Sequence, residues 1–216
     1  MDEQVVLDLF AGVGGFSAAF AESPDWDVVT VELNKDLPAN IHADVMDLRP
    51  ADLPNADVVL ASPPCTMFST AGNHDKWDHA EKQPIAPESR EHVALVHHTI
   101  GLIHALTPDY WFVENPTGRM RWVLGQPTAT VTYCQYGRDN QKPTDLWGSH
   151  PPMSYRRCRA GEACHVANGA DDGTSAIASM PEDYGERAKV PFELSESILR
   201  AVEGRSEQST LTEASQ

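Results

Sequence analysis

A cysteine follows a double proline at Ser62-Pro63-Pro64-Cys65, directly after the mostly apolar run Ala56-Asp57-Val58-Val59-Leu60-Ala61. Prolines lack a backbone donor and fix φ at about −65°, so Pro63 and Pro64 hold the next side chain at the mouth of a sheet with little entropy left to lose. A thiol presented in this way is a candidate nucleophile. Its thiolate attacks carbon far more readily than a hydroxyl does, and an ordinary pKa of about 8.5 needs only a modest push. A buried cysteine ending a strand would look the same in isolation, so two carboxylates decide the reading. Glu114 follows the apolar run Tyr110-Trp111-Phe112-Val113 and precedes Asn115-Pro116, which sets its carboxyl group at the end of a buried strand. Glu32 closes a second short run, Trp26-Asp27-Val28-Val29-Thr30-Val31. A carboxylate at that place can accept from two ribose hydroxyls.

Parallel strands must carry these groups. Val5-Val6-Leu7-Asp8-Leu9-Phe10 reads as the first, Ala11-Gly12-Val13-Gly14-Gly15 as a Gly-rich turn, and Phe16 to about Ala21 as an apolar helix. A strand, a glycine turn and a helix N-terminus give close backbone approach and a partial positive charge, so with Glu32 they point to a nucleoside-containing cofactor. The full dinucleotide fingerprint is absent, because no third glycine stands at its usual offset. A helix over about Glu88–Ala105 carries Val93, Val96, Ile100 and Ile103 at helical spacing and returns the chain to the strand Tyr110–Val113. Ligands in open α/β sheets bind beyond the carboxyl ends of the strands. Cys65, Glu32 and Glu114 are therefore expected at one edge of a Rossmann-like, mostly parallel sheet with helices on both faces.

These segments together resemble the DNA cytosine C5-methyltransferases, class I methyltransferases that use S-adenosylmethionine. The stretch Leu7-Asp8-Leu9-Phe10-Ala11-Gly12-Val13-Gly14-Gly15-Phe16-Ser17 is similar to the family's cofactor loop. Ser62-Pro63-Pro64-Cys65-Thr66-Met67-Phe68-Ser69 resembles its Pro-Cys motif, and Glu114-Asn115-Pro116 its Glu-Asn-Val motif. A weaker likeness joins Tyr136-Gly137 and Gln141-Lys142-Pro143-Thr144 to the family's Tyr-Gly, Pro-Gln and Arg-x-Arg segment, with Lys142 at the first arginine's offset and Thr144 at the second's. The resemblance covers roughly residues 4 to 150. Thr66 replaces the usual glutamine and Ser62 a glycine. Ser-Pro-Pro also resembles amino-methyltransferases acting on cytosine N4, whose motif continues with an aromatic residue; Cys65 at that position argues for carbon.

The resemblance implies methyl transfer from S-adenosylmethionine to C5 of cytosine in DNA. Cytosine C5 is a poor nucleophile until something adds to C6. The resemblance gives that addition to Cys65, and to Glu114 the task of holding N3, protonated or sharing a proton with the ring. Asn115 would orient Glu114 or donate to the backbone of the Pro-Cys loop, and Lys142 is the cation left beside the base. Phe10, Gly12, Gly14, Glu32, Asp44 and Pro63 are expected to hold the cofactor, Asp44 meeting the adenine amino group. No residue is identified for removing the C5 proton. The base must be reached outside a duplex, so the expected partner is DNA, either duplex with base flipping or single-stranded. Thr66 to Pro87 is expected to be a mobile loop closing over nucleic acid. Other readings stand beside this one: an N4-cytosine or other amino-methyltransferase, a methylase of RNA or free nucleotide, or an inactive cofactor-binding accessory protein.

At 216 residues the chain is long enough for one α/β domain. Residues 1–150 are expected to form the catalytic domain and 151–202 an extension of it, with one closing helix in Pro191–Leu199. Residues 203–216 read as a disordered polar tail. The remainder after Ser149 is too short for a dedicated recognition domain, which suggests a short, virus-type form of the family acting as a monomer. The chain carries 16 basic and 32 acidic residues, a net charge of −16. That balance opposes the basic footprint usual for nucleic-acid binders. A halophilic source would reconcile the two, because molar salt screens charge within about 3 Å and favours acid-rich, lysine-poor surfaces. Arg119 with Arg121, and Arg156-Arg157 with Arg159, are the candidate phosphate contacts.

Four cysteines, no signal peptide and no membrane-length apolar run suggest a reducing cytoplasm, a host's if the protein is virus-encoded, and no membrane partner. Cys158, Cys164 and His165 form a Cys-x5-Cys-His cluster that His150, or else Cys134, could complete as a tetrahedral zinc site. The spacing is unlike the common Cys-x2-Cys knuckle, and no metal is assigned from it. Ala160 to Ser179, rich in Gly, Ala and Asp, reads as a surface loop.

Overall fold

The computed structural model of the protein describes residues 4–70, 72–159, 162, 164 and 188–204. Seven strands form one sheet: β1 (Gln4–Leu9), β2 (Trp26–Glu32), β3 (Ile41–His42), β4 (Val58–Ala61), β7 (Tyr110–Pro116), β8 (Ala129–Thr132) and β9 (Pro143–Ser149), in the order β3-β2-β1-β4-β7-β9-β8. The pairs β3–β2, β2–β1, β1–β4 and β4–β7 are parallel, whereas β9 runs antiparallel to both β7 and β8. The sheet is thus the mostly parallel one the sequence implies, with an antiparallel edge appended. A small hairpin, β5 (Trp77–Asp78) with β6 (Gln83–Pro84), stands apart from it.

Alternation along the strands builds two cores. Leu7, Leu9, Val59, Ala61 and Val113 share one face with Val96, Leu102 and Ile103 of helix α2 (Pro87–Leu106). Val6, Val58, Leu60 and Phe112 point the other way, against Phe16, Phe20 of helix α1 (Ala18–Glu22), and Leu194 and Ile198 of helix α4 (Phe192–Val202). A fourth helix, the short α3 (Met120–Leu124), adds Met120 to the first core. Strand side chains alternate with period two, so β-branched runs buried on both faces are what a central parallel strand requires. Helix α2 ends at Thr107, held in the left-handed region at φ 53°, just before Pro108, which cannot continue a helix. Among the described residues no helix is long and apolar enough to cross a membrane.

Helix α1 begins two residues later than the sequence suggests. The Ser17 hydroxyl does not cap it. It donates instead to Asp8 Oδ2 at 2.6 Å, tying the turn back onto β1. Asp8 is fully buried, and its Oδ1 has no hydrogen-bond partner among the described residues. Burial lifts its carboxyl pKa to about 7; the Ser17 hydroxyl and amide oppose the rise, and the charge of Glu32 adds to it. Because the folded pKa lies above the unfolded value of 3.8, the folded state holds a proton that the unfolded state gives up. Stability is therefore full below that value, falls as pH rises toward 7, and stays reduced above it. Asp8→Asn removes the ionisation and can still accept from Ser17. We expect it to be more stable than wild type at pH 8 by on the order of 2–4 kcal/mol, the gap closing toward acid pH. Denaturant titrations of both proteins across that range check this, and a pH-independent difference would contradict it.

The stretch from Thr66 to Pro87, expected to be a mobile lid, is instead anchored. Trp77 is buried, donates its indole N–H to Met67 O at 2.9 Å, and packs on Phe68 and Trp122. Arg119 reinforces it: the guanidinium donates to Ser69 O and Gly72 O, and the amide to Phe68 O. The closing helix lies at 192–202, while most of Ala160–Ser179 and the tail from 205 onward fall outside the described residues.

Candidate active site

Register brings the chemistry together. Leu9 pairs with Val31 on one side and Ala61 on the other, and Ala61 pairs with Val113. One residue further along each strand come Phe10, Glu32, Ser62 and Glu114, all at the carboxyl edge of the parallel half. A cavity of about 590 Å³ opens there, of the size that holds a small-molecule ligand. Phe10, Gly12, Glu32, Asp44 and Pro63 line it, as do Cys65, Glu114, Asn115 and Lys142.

Gly14 is the exception among the expected contacts. It does not line the cavity but closes the turn, its N–H donating to Ala11 O at 2.8 Å at φ 75°. Gly15 lines the cavity in its place, and its missing side chain has a structural cause: a Cβ there would stand 2.8 Å from the backbone of Val190. The chain just before α4 thus packs directly behind the loop. Ser195 of α4 completes that support, its hydroxyl donating to Phe16 O at 2.7 Å and accepting from Ala19 N at 3.0 Å. Phe10 itself sits at φ 63°, an uncommon conformation for a bulky residue and one that accumulates at ligand sites.

At one end of the cavity, Glu32 accepts from Gly12 N through Oε2 and from Asn34 N through Oε1, both at 2.8 Å. Each carboxylate oxygen keeps a further lone pair for a ligand hydroxyl. A Cβ at Gly12 would meet no protein atom within 4 Å, so the space beside it is open. Asp44 caps a short turn through Oδ1, which accepts from Met46 N at 2.9 Å.

At the other end, Asn115 donates from Nδ2 to Pro63 O at 2.8 Å and so holds the loop that presents Cys65. The Cys65 carbonyl accepts from Phe68 N and Ser69 N, both at 2.9 Å, which winds the chain into a turn behind the thiol. Glu114 is 4% exposed and accepts from the Tyr133 hydroxyl at 2.8 Å. Burial and the charge of Glu114 push the Tyr133 phenol far above its usual range, so it stays a donor. The Lys142 ammonium lies 4.5 Å from the centre of the Tyr133 ring. Burial pulls its pKa down, while the charges of Glu114 and Cys65, which line the same cavity, oppose that fall. The Glu114 carboxyl group, the Cys65 thiol and the Lys142 ammonium, at one end of the cavity, can therefore act on one bound ring.

A nucleoside cofactor fits this cavity on its own geometry. Among the described residues, Ser62 Oγ and Asn115 Oδ1 are buried without a hydrogen-bond partner, and both residues line the cavity. Such atoms are costly unless something bonds to them.

The basic residues read as phosphate contacts are largely committed elsewhere. Arg121 makes a two-pronged pair with the buried Asp145, 2.6 Å at each prong, which locks β9 against the chain after β7. Arg119 holds the Ser69–Gly72 stretch, and Arg156 stacks 4.1 Å over Tyr136 and pairs with Glu193 at 3.0 Å. Sequence reasoning missed Tyr133, Gly15 and Val190. Tyr133 precedes the Tyr136-Gly137 signal by one turn and carries no signal of its own.

The family of C-5 cytosine-specific DNA methylases has a sequence model that matches residues 5–120. A Frog virus 3 protein (isolate Goorha) described as "Probable DNA (cytosine-5)-methyltransferase" is 31% identical over 170 residues, covering 74% of this chain and 77% of the viral one. The type II methyltransferase M.DdeI of Desulfomicrobium norvegicum is 34% identical over 144 residues, 60% of this chain but only 31% of that enzyme. Among solved structures, a methyltransferase of Entamoeba histolytica aligns with a TM-score of 0.52 at 13% identity, covering 74% of this chain and 58% of that one, a likeness of fold.

Proposed function

Because the chain belongs to the C-5 cytosine-specific DNA methylase family, we propose that it transfers a methyl group from S-adenosylmethionine to C5 of cytosine in DNA, with Cys65 as the nucleophile. The observation that carries this reading is the meeting of Cys65, Glu114 and Lys142 with Gly12 and Glu32 in one cavity. S-adenosylmethionine supplies an electrophilic methyl group when bound. Glu32 would hold its ribose, Asp44 its adenine amino group, and the open backbone at Gly12 its close approach.

Cys65 Sγ adds to C6 of the cytosine, and the ring electrons move toward N3, where Glu114 meets the developing charge. The Tyr133 hydroxyl fixes the Glu114 carboxyl group in place, and Lys142 lines the same cavity as a cation beside the reacting groups. After C5 is methylated, loss of the C5 proton lets the Cys65–C6 bond break and restores the aromatic ring. The target cytosine reaches this buried edge only from a single strand or flipped out of a duplex.

Mass spectrometry of nucleosides from DNA and RNA incubated with the protein and isotopically labelled cofactor tests the reading. Labelled 5-methylcytosine in DNA is expected; label on N4, or in RNA alone, would replace it. Running the reaction at low and at molar potassium chloride also tests the salt-adaptation account of the acidic composition. Higher activity at molar salt is expected, against the usual loss of DNA affinity.

A further inference from the structure

Three cysteines that the methylation chemistry does not use converge on one point. Cys134 lies in the single turn Tyr133–Tyr136 that follows β8, and Cys158 and Cys164 lie on the chain beyond β9. Cys134 Sγ is 3.2 Å from Cys158 Sγ and 3.7 Å from Cys164 Sγ, and all three sulfurs lie within 4.8 Å of one another. A tetrahedral zinc ion with Zn–S bonds of about 2.3 Å sets its sulfurs about 3.8 Å apart. The Cys134–Cys164 separation is within about 0.1 Å of that value and the Cys134–Cys158 one about 0.6 Å short of it, and even the closer pair exceeds a disulfide bond length of about 2.05 Å by more than an ångström. We infer that Cys134, Cys158 and Cys164 bind a structural zinc ion.

The surroundings suit a metal-bound thiolate. Cys134 and Cys158 are buried, and Cys164 is half-buried. Gln141 Nε2 donates to Cys158 Sγ at 3.0 Å, the kind of outer bond that orients a metal ligand. The Cys158 backbone is itself fixed, its N–H donating to Thr132 Oγ1 at 2.7 Å while Arg156 O accepts from Thr132 N. Three sulfurs with one histidine nitrogen form an ordinary structural zinc set, and soft thiolates select zinc over magnesium or calcium. His150, the sequence's first choice to complete the site, is engaged elsewhere: its ring stacks on Phe112 at 4.4 Å, and its Nδ1 lies 2.9 Å from Pro151 O. His165 lies outside the described residues.

The ion would staple the chain after β9 to the turn that carries Tyr133, the residue bonded to Glu114. This inference is independent of the methylation reading, and its test does not depend on activity. The full chain purified under reducing conditions should hold about one zinc, with X-ray absorption showing three sulfur neighbours and one lighter atom. Cys134→Ser and Cys158→Ser should lose the metal, while Cys65→Ser keeps it. Should those variants fail to fold, the wild-type protein still decides. After chelation it should take up cobalt(II) with thiolate-to-metal charge-transfer absorption that zinc abolishes, and its thermal midpoint should fall. Metal-free protein from zinc-supplemented cells, full zinc retention by both variants, or a Cys134–Cys158 disulfide in the isolated metal-free protein would each overturn the inference.

Discussion

Cys65→Ser is expected to abolish both turnover and covalent capture of an oligonucleotide carrying 5-fluorocytosine at the target. Fluorine at C5 cannot leave as a proton does, so an enzyme that has added to C6 and methylated C5 remains bonded to its substrate. The adduct should need S-adenosylmethionine and survive a denaturing gel. Serine keeps the shape of the side chain, but its hydroxyl is scarcely ionised near neutral pH, and the loss should reach at least three orders of magnitude, about 4 kcal/mol of barrier. Methylation by Cys65→Ser at the wild-type rate would remove the addition step and leave nitrogen methylation as the better account.

Glu32→Ala should weaken S-adenosylmethionine binding about tenfold or more, since a hydrogen bond to a charged acceptor contributes roughly 1.5–3 kcal/mol. The structure adds a second cause. Glu32 also holds Gly12 N and Asn34 N, so its loss loosens the loop as well as removing the ribose acceptor. Gly12→Val should be more severe. Gly12 sits at φ 56°, where a β-branched residue is strained, and the new side chain would occupy space that is open to a ligand. Calorimetry with S-adenosylmethionine, beside thermal melts to verify folding, checks both. Unchanged affinity in two folded variants would show that the cofactor is held elsewhere.

Local pattern reveals a great deal here because parallel strands are buried on both faces. Continuous apolar runs such as Val58–Ala61 and Tyr110–Val113 can hardly belong elsewhere, and the groups that follow such strands must collect at one sheet edge. Cys65, Glu32, Glu114 and Asn115 were legible for that reason. Composition misled where it stood in for contact. The polar stretch after Thr66 resembles a free lid until Trp77 is seen inserted between Phe68 and Trp122. Arg119 and Arg121 resemble phosphate ligands until their carbonyl and carboxylate partners are in place.

By itself the sequence determined the family, the parallel half of the sheet and the set of groups at its edge, since each depends on short runs and fixed spacings. Tertiary structure alone decided what surrounds them. The antiparallel pairing of β9 with β7 is what brings Lys142, expected beside the base from the resemblance, to the cavity, and the turn after β8 sets Tyr133 on Glu114. Val190 packs on Gly15, Ser195 bonds to Phe16 O, and Cys134 meets Cys158 and Cys164. These contacts join residues far apart in the chain, where no local propensity links one partner to the other; only the closing of the fold, which pays the loop entropy once for all of them, brings them within bonding distance.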